Sequence, residues 1–142
     1  MGKVDEKQAD RDGRVGENRR VELPAIDLRP LLKNVGGDRA FAAELISGFL
    51  ERCPALLLEI REALRQGEGG RAALAAHNLS GSAAEFEAHL VLRTAREMER
   101  LARLGSLDGA QSLLPTLDEA VLRMQTELAA FCDEGTLHYE QH

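Results

Sequence analysis

The 142-residue chain contains no tryptophan, one tyrosine (Tyr139), four phenylalanines, four prolines and two cysteines. Valine, isoleucine and threonine are also sparse, which argues against sheet, because β-branched and aromatic residues fit the pleated surface best. Cys53 and Cys132 each fall in an apolar helical pattern. They make no disulfide framework, and two reduced core thiols in a cytoplasmic protein are the expectation. No run approaches the roughly 20 apolar residues of a membrane span. The charged N-terminus is not followed by the apolar stretch of a signal peptide. A basic surface is missing too. The formal net charge is -6, which disfavours nucleic acid, whose binding needs cations to displace the counterions of phosphate.

What is present points one way. Alanine, leucine, glutamate and arginine dominate, and these are strong helix formers. The length suits one domain with a core of useful size, so the expected class is all-α. Residues 1–22 hold twelve charged side chains, six of each sign, and almost no large apolar ones. Such a segment cannot offset its ordering entropy and reads as a charged tail or linker. A domain over 23–134 and a frayed C-terminal tail over 135–142 complete the division.

Within the domain, Asp27 and Pro30 suit the start of a short first helix, and Gly36-Gly37 ends it. Asp38 caps a second helix over about 39–66. Its Phe41, Leu45, Phe49, Cys53, Leu56, Leu57, Ile60 and Leu64 recur at threes and fours. Pro54 inside it should kink or divide it. Gly67-Glu68-Gly69-Gly70 breaks the chain before a third helix over about 71–86. A fourth spans about 88–104, with Val91, Ala95, Met98 and Leu101 or Ala102 on one side. Arg93, Arg96, Glu97, Arg100 and Arg103 lie on the other. A last segment starts near Asp108, is interrupted near Pro115, and carries the stripe Leu117, Val121, Met124, Leu128 and Phe131. Short connections imply antiparallel neighbours. The expected architecture is an antiparallel four-helix bundle with a short extra N-terminal helix.

His77 stands out on the third helix. At roughly 100° per residue, Ala72, Ala75, Ala76, Leu79, Ala83 and Phe86 cluster as the core stripe, and His77 falls about 150° from its middle. It therefore faces outward. An outward helical histidine is ordinarily a solvated residue among Glu and Lys. Here the neighbours one turn away are Ala73, Leu74, Ser80 and Gly81, with Ala84 two turns on. Gly81 inside a helix costs about 1 kcal/mol relative to alanine. Letting another protein's backbone approach His77 would be a sufficient reason for it. A solvated histidine and a functional one both remain open on facing alone.

The stretch AHNLSGSAAEFEA resembles the signature of histidine-containing phosphotransfer (HPt) domains, roughly His-x-Leu-Lys-Gly-Ser-Ala followed by a small turn and Gly-Ala. The likeness extends upstream through Asp27, Leu31-Leu32, Gly36-Gly37-Asp38, Phe49-Leu50-Glu51, Pro54 and Ala63-Leu64. Downstream it takes in Val91, Ala95, Met98 and Glu99. The resemblance implies that His77 accepts a phosphoryl group and that Leu79 anchors the helix in the core. It implies that Gly81 is the gap through which a receiver domain approaches, with Ser82 and Ala83 keeping the helix contact tight. Ala73, Leu74, Ser80, Gly81 and Ala84 would form the docking face. The implied partners are response-regulator receiver domains or a hybrid histidine kinase. No cofactor or metal of its own is expected, any Mg²⁺ lying on the receiver. The protein should be a phosphoryl carrier rather than an enzyme, and a monomer.

Two positions depart from the signature. The family's Lys, three after the histidine, is Ser80, which brings no charge. Arg93 or Arg96 on the next helix are the candidates to replace it. The family's Gly, ten after the histidine, is Glu87, which should disturb packing at the helix end. Free imidazole, with a pKa near 6.5, keeps a neutral nucleophilic nitrogen at pH 7, and phosphoryl transfer is mostly positioning plus electrostatics. The outward Nε2 would take the phosphoryl group while an acceptor that the sequence does not identify holds Nδ1. A competing reading is a binding module that docks a receiver or another signalling partner without being phosphorylated. A histidine-kinase dimerisation domain fits poorly, since Asn78 and Ser82 stand where an acid and a proline are usual. A carboxylate metal bundle lacks its Glu-x-x-His pairs. His89 reads as structural or solvated, and His138 and His142 lie in the tail.

Overall fold

The computed structural model describes residues 23–140, the side chains of 135–140 excepted, so the charged segment 1–22 lies outside the described residues. Six helices follow in order: α1 (Arg29–Asn34), α2 (Arg39–Arg65), α3 (Gly69–Glu85), α4 (His89–Arg103), α5 (Leu107–Gln111) and α6 (Leu114–Glu140). The described residues contain no strand. The four long helices form an antiparallel bundle. Contacts across α2 and α6 run in opposite directions, Arg61 meeting Asp118 while Cys132 meets Ala43 and Ser47. Likewise Glu59 of α2 meets Arg71 of α3, and His77 of α3 meets Glu99 of α4.

Four helix ends use one backbone device. After α1, α2, α3 and α4 the chain turns through a residue of positive φ, and the next amide reaches back to a carbonyl of the last turn. This pairs carbonyls that the helix leaves orphaned. Gly36, Gly67 and Gly105 occupy the turn position after α1, α2 and α4. After α3 it is Glu87, with φ 53°. The Glu87 and Ala88 amides still donate to Ala84 and Ala83 oxygens at 3.2 and 2.9 Å. The disturbance expected at Glu87 is therefore backbone strain rather than lost packing, because a Cβ crowds the left-handed region.

Helix starts follow local chemistry less closely. Asp38 caps α2 as expected, accepting from the Phe41 amide at 3.0 Å. Asp27 does not cap α1; Leu28 holds that position, and the Asp27 carboxylate accepts instead from the Arg29 amide and guanidinium. The break before α3 is shorter than the glycines suggested, because the helix begins at Gly69. A Cβ on Gly69 would lie 2.5 Å from the Ala102 carbonyl oxygen. That glycine lets the start of α3 approach the end of α4.

The core is built largely as the periodicity implies. Ala72, Ala75, Ala76, Leu79, Ala83 and Phe86 are buried, as are Val91, Ala95, Met98 and Ala102 of α4 and Leu117, Val121, Met124 and Leu128 of α6. Phe49 and Phe86 stack tilted, with centroids 5.3 Å apart. Two readings of α2 are narrowed. Of the kink or division expected at Pro54, division does not occur: the helix is continuous across the proline, and buried Phe49, Cys53 and Ile60 anchor both sides. Phe41 and Leu45 are exposed, and Ala42 and Ile46 take the core positions instead. Pro115 sits in the first turn of α6, where a proline's missing N–H is an orphan in any case. The backbone of α6 stays helical to Glu140, across the boundary at 134 where a tail was expected.

Candidate functional site

α3 lies between α2 and α4, and this sandwich decides which of its side chains reach solvent. The His77 side chain is 62 % exposed. Leu74, Asn78, Gly81 and Ala84 are exposed with it, and Ser82 is half-buried. Ala73 and Ser80 are not on this face. Both are buried, which corrects their assignment to a docking surface. The helical wheel counted one apolar stripe, whereas a helix packed against two neighbours buries a wider arc. Ala73 and Ser80 fall on the edge turned toward α4. The open face is thus shifted toward α2, and it includes Asn78, which the sequence reading left out. Asn78 and Ser82 line a shallow groove with Arg52, Ala55 and Leu56 of α2.

Ser80 does not offer its hydroxyl to the ring. Its Oγ donates to the His77 carbonyl oxygen at 2.8 Å, the back-bond that serine makes within helices. Gly81 is different. A Cβ there would meet nothing within 4 Å, so the fold does not require a glycine. Leu79 and Ala83 are completely buried behind the exposed strip.

The acceptor for His77 is Glu99 of α4. The Nδ1 atom lies 3.3 and 3.4 Å from its two carboxylate oxygens. Glu99 is in turn held by Arg103, whose Nε and Nη2 donate to Oε2 at 3.1 and 2.8 Å. Its carboxylate is only 18 % exposed. Burial by itself would favour the protonated acid, but Arg103 and His77 outweigh it and hold the carboxyl below its usual range. Glu99 therefore stays ionised. A carboxylate opposite Nδ1 favours the tautomer with the proton on Nδ1, which it donates to Glu99. Nε2 then carries the lone pair. Such an arrangement can offer an imidazole lone pair on an exposed helix face without a separate base to activate it.

Sequence reasoning missed Glu99 and Arg103 as site residues. Their signal is slight: Leu92, Glu99 and Arg103 share one edge of α4 at spacings of seven and four, and only an antiparallel partner turns that edge into a site. Of the two cations suggested to replace the family lysine, Arg93 is excluded. It lines a separate groove with residues 23–27, Glu87, His89 and Arg123, about 120° around α4 from Glu99. His89 lies there too, paired with Glu87 at 3.1 Å, and no nucleophile stands beside it. Among the described residues, no group of three or more His, Cys, Asp or Glu side chains is placed to hold a metal ion.

A family model described as "Hpt domain" matches residues 44–132. The chain belongs to the Hpt domain family. Hpt domains are helical histidine-phosphotransfer modules of two-component signalling, phosphocarriers that interact with receiver domains and histidine kinases. The matched span takes in α3 and α4 whole, with most of α2 and the buried stripe of α6. No curated protein and no solved structure matches the chain. No helix among the described residues of this Hpt domain is long and apolar enough to cross a membrane.

Proposed function

We propose that this Hpt domain relays a phosphoryl group between His77 and the aspartates of response-regulator receiver domains. The observation that carries the reading is the Arg103–Glu99–His77 chain, in which Glu99 faces Nδ1 of the exposed ring and leaves Nε2 for the incoming group. In the forward step Nε2 attacks the phosphorus of a receiver's aspartyl phosphate. The N–P bond forms as the acyl O–P bond breaks, and the electron pair leaves with the aspartate carboxylate. The proton on Nδ1 stays in its bond to Glu99, whose negative charge offsets the positive charge developing on the ring. Any Mg²⁺ acts on the receiver's side. Leu74, Gly81 and Ala84 form the bare strip on which the receiver would sit, with Asn78 at its edge.

The test is transfer of label from purified phosphorylated receivers. Wild type should gain acid-labile label and His77→Gln should gain none. Equal labelling of the two proteins would end the carrier reading. Ser80 motivates the second reading, an adaptor that docks without accepting phosphate, because its hydroxyl is engaged with the backbone. Tight receiver binding with no label on wild type would favour that adaptor.

A further inference from the structure

Phosphorylating His77 would place roughly two negative charges beside Glu99, a carboxylate that stays ionised. The nearby cations are mostly engaged. Arg103 bonds Glu99 through two nitrogens, and Arg100 is paired with Glu97 at 2.5 Å. Arg71, two turns before His77, is held by Glu59 and Glu68. Ser80 brings no charge, and its proton goes to the His77 carbonyl. On α2, Arg52 lies across from Asn78, but its Nη1 sits 3.3 Å from where a Gly48 Cβ would be, a turn away along α2.

Arg96 remains. It is exposed and makes no ion pair with any described residue. It lies three residues before Glu99 on α4, and Ser80 lies three after His77 on α3. Because the helices are antiparallel and His77 meets Glu99, these two offsets run the same way. Arg96 is thus brought alongside Ser80 and Gly81, one turn from the ring. The space above Gly81 is empty, so a guanidinium has room to swing over it.

We infer that Arg96 is the phosphoryl-binding cation of the phosphorylated state, supplying from α4 the charge that Ser80 does not supply from α3. The inference rests on the carrier reading above. A guanidinium presents paired N–H donors that match phosphate oxygens, and its exposure leaves it free until the phosphoryl group arrives. Arg96 acts on the phosphoryl oxygens, while Glu99 and Arg103 act on the ring.

The experiment loads the full chain with phosphoramidate, a small N–P donor that needs no receiver, and follows phospho-His77 by ³¹P NMR as pH is varied. Removing a cation next to the phosphoryl group should raise the titration midpoint of the phosphohistidine ring, which the ³¹P signal follows, by about one pH unit in Arg96→Gln. Arg52→Gln should leave it unchanged. Ser80→Lys in the Arg96→Gln background should bring the midpoint back, its stem lying along α3 with the ammonium at the surface. A midpoint unmoved in Arg96→Gln, or moved equally by Arg52→Gln, overturns the inference while the label itself leaves the carrier reading standing. Absence of label on wild-type His77 defeats both.

Discussion

At the scale of single residues, Gly81 and Glu87 are informative because each runs against local preference. Gly81 sits mid-helix where an added Cβ meets nothing. Gly81→Ala should therefore raise stability by about 1 kcal/mol in a urea titration. Gly81→Gln should fold as wild type yet lose receiver docking, and undiminished transfer in it would show that the receiver sits elsewhere. Glu87 holds a left-handed turn that three glycines hold at the equivalent helix ends. Its pair with exposed His89 is the weak kind that solvent screens. Glu87→Gly should accordingly gain about 1 kcal/mol. A loss in the same titration would mean that the pair outweighs the strain. Glu87 was legible as a departure from the family signature, but its physical meaning was not, because a φ angle is a property of the folded turn.

At the scale of elements, α3 is the case where a sequence pattern goes furthest and then stops. Its core side was readable at about 100° per residue, and the six residues assigned to it are all buried. Leu79 is fully buried among them, so Leu79→Ala should cost about 2–5 kcal/mol. A loss well under 1 kcal/mol would mean that the site relaxes around the smaller side chain. The flanks of that face were not readable. Whether Ala73 and Ser80 see solvent depends on how close α4 comes, and Gly69 against the Ala102 carbonyl is one contact that permits a close approach. The same limit explains α2. Phe41 and Leu45 extend its apolar stripe by spacing, yet the bundle buries Ala42 and Ile46 one residue further on, because the neighbouring helices decide which side of α2 is covered. Pro54 removes one hydrogen bond, but packing on both sides keeps the helix whole.

At the scale of the whole molecule, distant segments are joined by contacts that no local pattern announces. The carboxylate of Glu127 on α6 accepts from the Ala25 amide through both oxygens at 2.9 Å, and from the Ile26 amide at 3.2 Å. Arg123 donates to the Leu23 carbonyl at 2.7 Å, and the Asp27 amide reaches the Phe86 carbonyl at 3.0 Å. The segment before α1 is thereby tied to α6 and to the end of α3. Glu127→Ala strands these part-buried amides. It should cost about 1.5–3 kcal/mol, the range for hydrogen bonds to a charged group, read as a lower denaturation midpoint. An unchanged midpoint would mean that water replaces the carboxylate without loss.

By itself the sequence determined the helical class, the order of the helices, most of the residues that line the bundle and the outward direction of His77. Each follows from propensity or from a period that a single helix carries along its own length. Tertiary structure alone decided which group faces the Nδ1 atom. Glu99 lies 22 residues from His77, and it became a partner only through the antiparallel register in which α3 and α4 pack. The ring's orientation, the burial of Ser80 and the place of Arg96 all follow from that register. It is set by the sum of side-chain contacts between two helices, a quantity that neither helix contains alone.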